Sequence, residues 1–178
     1  MKAKLHLALF SISPLSCLFG QLSQDISPGS FTYQPDQTVT TITMPDLDVD
    51  ALLAEDENRP PWKPFRYGHK FTVDLSPSNA GSWWELPNGG RIWRLKIEST
   101  GAFALSLEFD RFHLPLNSTL HVYSPDKSEI YGAYTSQNNN PDKIFATPLV
   151  KGDTIIMEIF LPKTSAEFSL HLSEVIHD

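Results

Sequence analysis

Apolar residues recur at every second position over much of the chain from Lys70 onward. The stretch 91–98, RIWRLKIE, shows the pattern most clearly, because its apolar positions alternate with two basic residues and one acidic residue. Successive side chains of a β-strand point to opposite faces, so this alternation predicts a strand with one buried face. The side chains expected in the core are Trp93, Leu95 and Ile97.

The following stretch, 102–109, has the same alternation and predicts a second strand. Only Ser99, Thr100 and Gly101 separate the two strands, and a short connection that contains glycine is typical of a β-hairpin. We therefore expect an antiparallel hairpin over 91–109. The residues of its second strand expected to point inward are Phe103, Leu105, Leu107 and Phe109.

Similar patterns predict about eight short strands in all. They cover 70–75, 91–98, 102–109, 120–124, 130–134, 145–150, 154–161 and 167–175. Turn-forming runs such as 87–90 (PNGG) and 138–142 (NNNPD) separate them, and no helical periodicity follows residue 58. This excludes a parallel α/β fold and favours an all-β, two-sheet antiparallel sandwich of jelly-roll type.

The N-terminal third is organised differently. Residues 1–20 begin with two lysines and continue as an uncharged apolar run, which predicts a signal peptide cleaved near Gly20. Residues 21–45 are polar and predict a leader with little fixed structure, apart from an optional edge strand around 39–43. Acidic residues in 46–58 favour a short helix, because the helix dipole stabilises negative charge in the first turn. The sandwich domain is then expected over 59–178.

Charge and cysteine content narrow the class of protein. The net charge is -7, which argues against nucleic acid and anionic membranes as partners. The single cysteine, Cys17, lies in the expected signal peptide, so no disulfide is expected after cleavage. Together these features predict a bacterial protein that is secreted or periplasmic.

No pattern in the sequence predicts catalysis, a cofactor or a metal. No serine lies in a Gly-x-Ser-x-Gly turn, and no cysteine remains to act as a nucleophile. The six histidines lack the spacing of zinc ligands, and His121 and His171 are expected on the polar faces of strands. Asp110 and His113 come closest to a catalytic or metal-binding group, but a polar turn after a strand explains them better.

Residue types suggest two binding sites, one for calcium and one for sugars. Asp46, Asp48 and Asp50 resemble part of a calcium loop, but the glycine and terminal glutamate of an EF-hand are missing. A platform for stacking sugars could form from aromatic rings, but Trp93 is expected in the core, and Trp83 and Trp84 would point in opposite directions on a strand. The rings considered for it are Trp62, Trp83, Trp84, Trp93, Phe65, Tyr67 and Phe71. A further sequence, 117–119 (NST), matches a glycosylation site, and a tight turn at the asparagine is the simpler explanation.

Several stretches in order resemble a known family. They are 52–56 (LLAED), 64–68 (PFRYG), 81–83 (GSW), 88–95 (NGGRIWRL), 109–115 (FDRFHLP), 120–124 (LHVYS), 132–135 (GAYT), 138–139 (NN), 146–148 (ATP) and 152–153 (GD). The series resembles the N-terminal prodomain of secreted bacterial lysyl-endopeptidase-like serine proteases, which have a trypsin fold. The resemblance implies a protease domain as partner, in cis or in trans. None of the family's catalytic residues has a matching position in this sequence.

Three functions remain open from the sequence. The chain is a non-catalytic prodomain that assists folding or holds a zymogen, a stand-alone secreted module that binds glycan or a surface protein, or the remnant of a broken gene. Under the first hypothesis, Lys127, Lys143 and Lys151 are candidate self-cleavage sites near predicted turns, although solvated surface lysines explain them as well.

Overall fold

The computed structural model describes residues 22–35, 38–164 and 168–178, so the expected signal peptide lies outside the described residues. Two short helices are α1 (Gly29–Tyr33) and α2 (Val49–Glu57). The strands are β1 (Thr41–Thr43), β2 (His69–Leu75), β3 (Ser82–Glu85), β4 (Arg91–Glu98), β5 (Ala104–His113), β6 (Thr119–Tyr123), β7 (Ile130–Tyr134), β8 (Phe145–Ala146), β9 (Val150–Lys151), β10 (Thr154–Leu161) and β11 (Ser169–His177).

These strands form two sheets that face each other. Sheet A has the order β1-β4-β10-β6-β7, with β3 pairing to β4 beside β1. Sheet B has the order β2-β11-β5-β8, with β9 pairing to β5 beside β8. The β1–β4 pair is parallel, and the other strand pairs among the described residues are antiparallel. The all-β, two-sheet sandwich predicted from the sequence is therefore confirmed.

The core lies between the sheets and is built from the alternating apolar positions of the long strands. Trp93, Leu95, Ile97, Leu105 and Leu107 are fully buried in it, as the period-two pattern predicts. An aromatic cluster closes one part of the core, with two of its rings stacked at 4.2 Å between centroids. The members of this cluster are Phe109, Phe112, Tyr134 and Phe145.

The expected hairpin over 91–109 is wrong. β4 lies in sheet A and β5 lies in sheet B, so the connection crosses from one layer to the other. Residues on the inner faces of two facing sheets alternate in the same way as residues on neighbouring strands of one sheet. The pattern alone therefore cannot distinguish a hairpin from a crossing.

The crossing also places Phe103 outside the core, although the alternation of apolar residues predicted that it lies inside. Its ring is 85% exposed, because β5 and its inward alternation begin only at Ala104. The backbone of Phe103 is held on both sides, since its N–H donates to the carbonyl of Asp178 and its carbonyl accepts from Gly152. The aromatic side chain is thus fixed at the end of the sandwich and points to solvent.

The single strand expected over 145–150 is divided into β8 and β9. Pro148 lies between them and has no N–H to donate to a neighbouring strand. Thr147 makes the break possible, because its N–H donates to the carbonyl of Leu107 at 2.9 Å and its hydroxyl accepts from the Leu107 N–H at 2.9 Å. The Thr147 hydroxyl thus takes the place of a backbone carbonyl as the acceptor for the Leu107 N–H.

The N-terminal strap, residues 22–35, packs across the outer face of sheet A. The sequence predicted little fixed structure over 21–45, and the described part of this range contains both α1 and β1. Gln24 and Ala133 exchange two backbone hydrogen bonds of 3.1 and 3.0 Å, which extends the sheet beyond β7. The helix expected over 46–58 is present as α2, and the Asp48 side chain caps it by accepting from the Ala51 N–H.

Candidate functional site

Under the N-terminal strap lies a buried polar network that the sequence did not predict. Glu158 projects from the outer face of β10 and is 1% exposed. Its two carboxylate oxygens accept from the Ser30 N–H and the Tyr123 hydroxyl, each at 2.9 Å. Burial raises the pKa of Tyr123, and the nearby Glu158 raises it further. The carboxylate is therefore enclosed and fully engaged by structural partners.

His121 belongs to the same covered surface. Its side chain leaves the outward face of β6, as alternation predicts, but the expected polar exposure is wrong because the strap buries it. Its Nε2 lies 2.7 Å from the carbonyl oxygen of Ile26. Burial lowers the pKa of His121, so the neutral ring is favoured and donates this hydrogen bond.

The outer face of sheet B holds a second polar cluster, and it is open to solvent. The hydrogen-bond partner of Asp110 is Nδ1 of His171 rather than His113, and Asp74 pairs with Nε2 of the same ring at 2.8 Å. The hydrogen bond that the ring donates to Asp110 raises the pKa of His171, burial lowers it by less, and the hydrogen bond to Asp74 raises it further. Both ring nitrogens are occupied, so this histidine has no free nitrogen to activate a nucleophile.

A serine–histidine pair occurs at the end of the sandwich. Ser99 Oγ lies 2.7 Å from Nδ1 of His177, and both residues are buried. Burial lowers the pKa of His177. No carboxylate within the described ranges forms an ion pair with this ring, and a catalytic pair needs such a group to orient its base. The pair therefore joins β11 to the β4–β5 crossing.

The remaining candidate residues from the sequence do not come together in a common site. Trp62 is 85% exposed, whereas Trp83 packs against the core and Trp84 is half-buried near Tyr33, so no three-ring platform forms. In the part of the chain that the structure describes, no group of three or more potential ligands could hold a metal ion. Asn117 has a φ of 62°, which fits the tight turn inferred for it.

The candidate lysines are all held by local structure. Lys127 and Lys143 adopt positive φ in hydrogen-bonded turns, and the N–H of Lys151 donates to Glu129 at 2.8 Å. The Lys127 ammonium also lies 4.3 Å from the centre of the Phe31 ring in the strap. A protease cleft binds an extended segment, so cleavage at these positions would require local unfolding first.

The most prominent unexplained surface is a cluster of exposed apolar side chains at one end of the sandwich. We call it the aromatic end and define it by Val49, Leu53, Phe65, Tyr67 and Phe103. A shallow cleft of about 170 Å³ brings residues of α2, the segment after it and the β4–β5 crossing together. The rings of Phe65 and Tyr67 meet edge to face at 5.3 Å. Exposed apolar patches of this kind mark interaction sites.

Helix α2 contributes to the aromatic end without being stabilised by the core. None of its nine residues is buried. A helix this short is marginal in water on its own, because helix nucleation is costly and tertiary packing supplies most helical stability. Arg66 ties it to the following segment by contacts to Glu55 at 2.8 Å and Asp56 at 3.4 Å. A partner that covers this helix would therefore stabilise it.

Arg59 lies beside the same surface with an unmet donor. Its guanidinium lies 5.1 Å from the centre of the Phe65 ring. Its Nη1 atom is buried and has no hydrogen-bond partner among the described residues. An unpaired buried donor is costly.

The aromatic end also adjoins the end of the last strand, β11. Ile176, His177 and Asp178 form the last part of β11 and its continuation, and Asp178 lies in the cleft of the aromatic end. The Asp178 N–H donates to the carbonyl of Ala104 at 3.0 Å. The end of β11 therefore lies beside the exposed rings of Tyr67 and Phe103.

These features define an all-β, two-sheet domain with a cluster of exposed apolar side chains at one end. The chain belongs to the lysyl endopeptidase N-terminal domain family, whose model matches residues 47–176. The resemblance stated from the sequence is thus confirmed. Neither the curated proteins nor the solved structures contain a significant match.

The matched range contains the entire aromatic end, from Val49 to Phe103, and excludes the strap. The sequence pointed to Phe65 and Tyr67 as part of a sugar-stacking platform and of the family resemblance, but not as a surface shared with α2 and Phe103. Their signal was the aromatic run in 62–67. Neither described helix has the length and hydrophobicity needed to span a membrane.

Proposed function

We propose that this domain docks a trypsin-fold protease domain, in cis within a lysyl endopeptidase precursor, and assists its folding or holds it inactive. The observation that supports this most directly is the aromatic end, which belongs to the family's matched range and lies where β11 leaves the fold. The domain itself acts by binding. Its place of action under this proposal is the periplasm or the extracellular space.

A folding role has a physical basis in the partner's topology. Trypsin-like domains are rich in β-structure and depend on contacts between distant parts of the chain, which form slowly. A preformed surface that binds one part of such a domain lowers the entropy cost of assembling the rest. The sandwich described here is preformed, since its core closes without any contribution from the aromatic end.

The aromatic end has the composition of an interface centre. Aromatic and arginine residues dominate the binding energy of protein interfaces, where they become fully desolvated. Phe103 and Tyr67 are more than 80% exposed in the isolated domain, and Arg59 retains an unpaired buried donor. The side chains that would be desolvated on docking are therefore available and held in place by the fold.

Co-expression tests this proposal. The full chain is expressed with a lysyl endopeptidase catalytic domain, and the yield of active protease is compared with that obtained without it. The double variant Tyr67→Ser and Phe103→Ser should reduce the yield at least fivefold, because the docking surface loses its largest rings. The matched control is Ile144→Ser with Leu149→Ser, which removes exposed apolar side chains elsewhere.

The control variant should retain the yield of the unaltered chain. Equal yields with and without the domain would contradict the folding role, and unchanged activity of the mature protease after addition of the domain would contradict the holding role. A loss of yield in the control as large as that in the Tyr67 and Phe103 variant would show that the aromatic end is not the docking surface.

A further inference from the structure

A second surface, remote in sequence from the aromatic end, has the shape of a ligand groove. It runs between the N-terminal strap and two loops of sheet A, and its volume is about 590 Å³. Small-molecule sites typically have volumes of about 300–1,000 Å³. The strap supplies one wall and residues 116–119 and 135–137 supply the other, so the groove exists only when the strap is in place.

The lining of this groove carries no formal charge. None of its residues is Asp, Glu, Lys, Arg or His, although a fifth of the chain is charged. Hydroxyl and amide side chains supply its polar groups. A charged ligand would meet no opposite charge here, and burying it without one is costly. The groove therefore favours a neutral ligand.

Several of these polar groups have no partner within the protein. Among the described residues, no hydrogen bond involves the side chains of Ser27, Thr32, Asn117 or Ser136. The fold keeps the Asn117 side chain at the groove by a left-handed backbone, with φ of 62°. Four unengaged hydroxyl and amide groups thus face one cleft and can donate to or accept from a ligand.

Apolar surfaces alternate with these polar groups. The Tyr33 ring and the side chains of Ile26 and Leu116 are exposed, and the Phe160 ring is half-buried at the floor. Sugars present hydroxyl groups at their edges and C–H groups on their faces. An aromatic ring accepts the apolar face, while amides and hydroxyls pair with the edge.

An extended peptide fits this region less well. Peptides commonly bind by adding a strand to a free sheet edge. The nearest edge is β7, and the strap already occupies it through the paired hydrogen bonds between Gln24 and Ala133. Backbone recognition is therefore blocked at the site where it would be needed.

From this combination we propose that the groove between the strap and residues 116–119 and 135–137 binds a neutral saccharide. Tyr33 stacks against a sugar ring, and Asn117 bonds its hydroxyl groups. The site does not depend on a protease partner, so the proposal stands apart from the function proposed above.

The test measures binding of neutral oligosaccharides to the full chain, first on a glycan array and then by titration calorimetry. Tyr33→Ala and Asn117→Gly should each weaken binding about tenfold, which corresponds to loss of a stacked ring or of a hydrogen-bonded pair. Glycine suits the positive φ at position 117, so that variant removes the side chain without straining the turn. Trp62→Ala is the matched control, because it removes an exposed ring outside the groove.

Three outcomes would overturn the proposal. One is the absence of binding to any neutral oligosaccharide at millimolar concentration. Another is preferential binding of anionic oligosaccharides or of peptides. The third is affinity that stays within twofold of the unaltered chain in both groove variants or falls equally in Trp62→Ala. Thermal unfolding of each variant confirms that the fold is intact, and none of these results bears on protease co-expression.

Discussion

The outer faces of the two sheets carry similar residue types in opposite environments. The outer face of sheet A bears Glu158, His121 and Tyr123 beneath the strap, and we call it the covered face. The outer face of sheet B bears acidic residues with Lys70 and His171 in contact with water, and we call it the open face. Carboxylates and histidines are thus placed outward on both sheets, as alternation predicts.

The two faces differ in which parts of the protein form hydrogen bonds and ion pairs with their polar residues. On the covered face, where water is excluded, the strap supplies the Ser30 N–H to Glu158 and the neighbouring strand β6 supplies the Tyr123 hydroxyl. On the open face, cross-strand neighbours satisfy the charges, with Lys70 Nζ at 2.9 Å from Glu108 and 2.5 Å from Glu174. Removing the partner of a buried polar group lowers the stability of the protein substantially, whereas removing one member of a solvated ion pair lowers it little.

Replacement of Glu158 should produce the largest effect. Glu158→Ala leaves the Ser30 N–H and the Tyr123 hydroxyl without an acceptor and should lower the free energy of unfolding by about 2–3 kcal/mol. Glu174→Ala on the open face is the matched control and should cost about 0.5 kcal/mol. Urea denaturation measures both. Equal losses in the two variants would mean that the strap does not enclose Glu158 as described.

Removal of the Tyr123 hydroxyl should have the next largest effect. Tyr123→Phe withdraws one of the two donors to the buried carboxylate and should lower stability by about 1–2 kcal/mol. Tyr131→Phe, on the neighbouring strand β7, removes a hydroxyl that makes no hydrogen bond among the described residues and should be nearly neutral. Hydrogen exchange of the strap amides provides a second measurement, which should accelerate only in Tyr123→Phe.

The two histidines should give pH dependences of opposite sign. The pKa of His121 is lowered by burial, so the unfolded chain binds more protons as pH falls below 6.5. Its contribution to stability is therefore complete above 6.5 and decreases as pH falls from there through the folded pKa. His121→Gln keeps a donor for the Ile26 carbonyl and should reduce this acid-side loss, as measured by unfolding curves between pH 5 and 7.

His171 should behave in the reverse way. Asp110 and then Asp74 raise its pKa in the folded protein. The stabilisation is complete below the unfolded value of 6.5 and disappears as pH rises through the folded pKa. Solvent screening limits it to about 0.5 kcal/mol. His171→Gln should remove this loss on the alkaline side of 6.5, and an unchanged difference between pH 6 and 8 would contradict the cluster.

An effect of similar size, but sensitive to salt, is expected at Lys70. Lys70→Ala removes two exposed contacts on the open face and should cost about 0.2–1 kcal/mol at low ionic strength. High salt screens such pairs, so the difference from the unaltered chain should shrink when the same unfolding curves are repeated at about 1 M salt. A loss that persists in high salt would indicate packing of the lysine stem rather than charge.

The sequence by itself determined most of the long strands and most of their buried residues, although it did not predict β3 and placed Phe103 in the core. Trp93, Leu95 and Ile97 were identified correctly, because a two-residue period is a local property of an extended chain with one buried face. The two-sheet class followed from the number and spacing of such segments. The family also followed from ordered local stretches, since the match covers residues 47–176.

Only the tertiary structure decided which strands pair and which outward residues are covered. β4 and β5 alternate identically whether they share a sheet or face each other, so the expected hairpin was wrong. His121 and His171 both point outward, and only the strap makes one of them buried. The aromatic end and the groove arise in the same way, because each is assembled from segments distant in the chain. Contacts between such segments leave no periodic trace in the sequence.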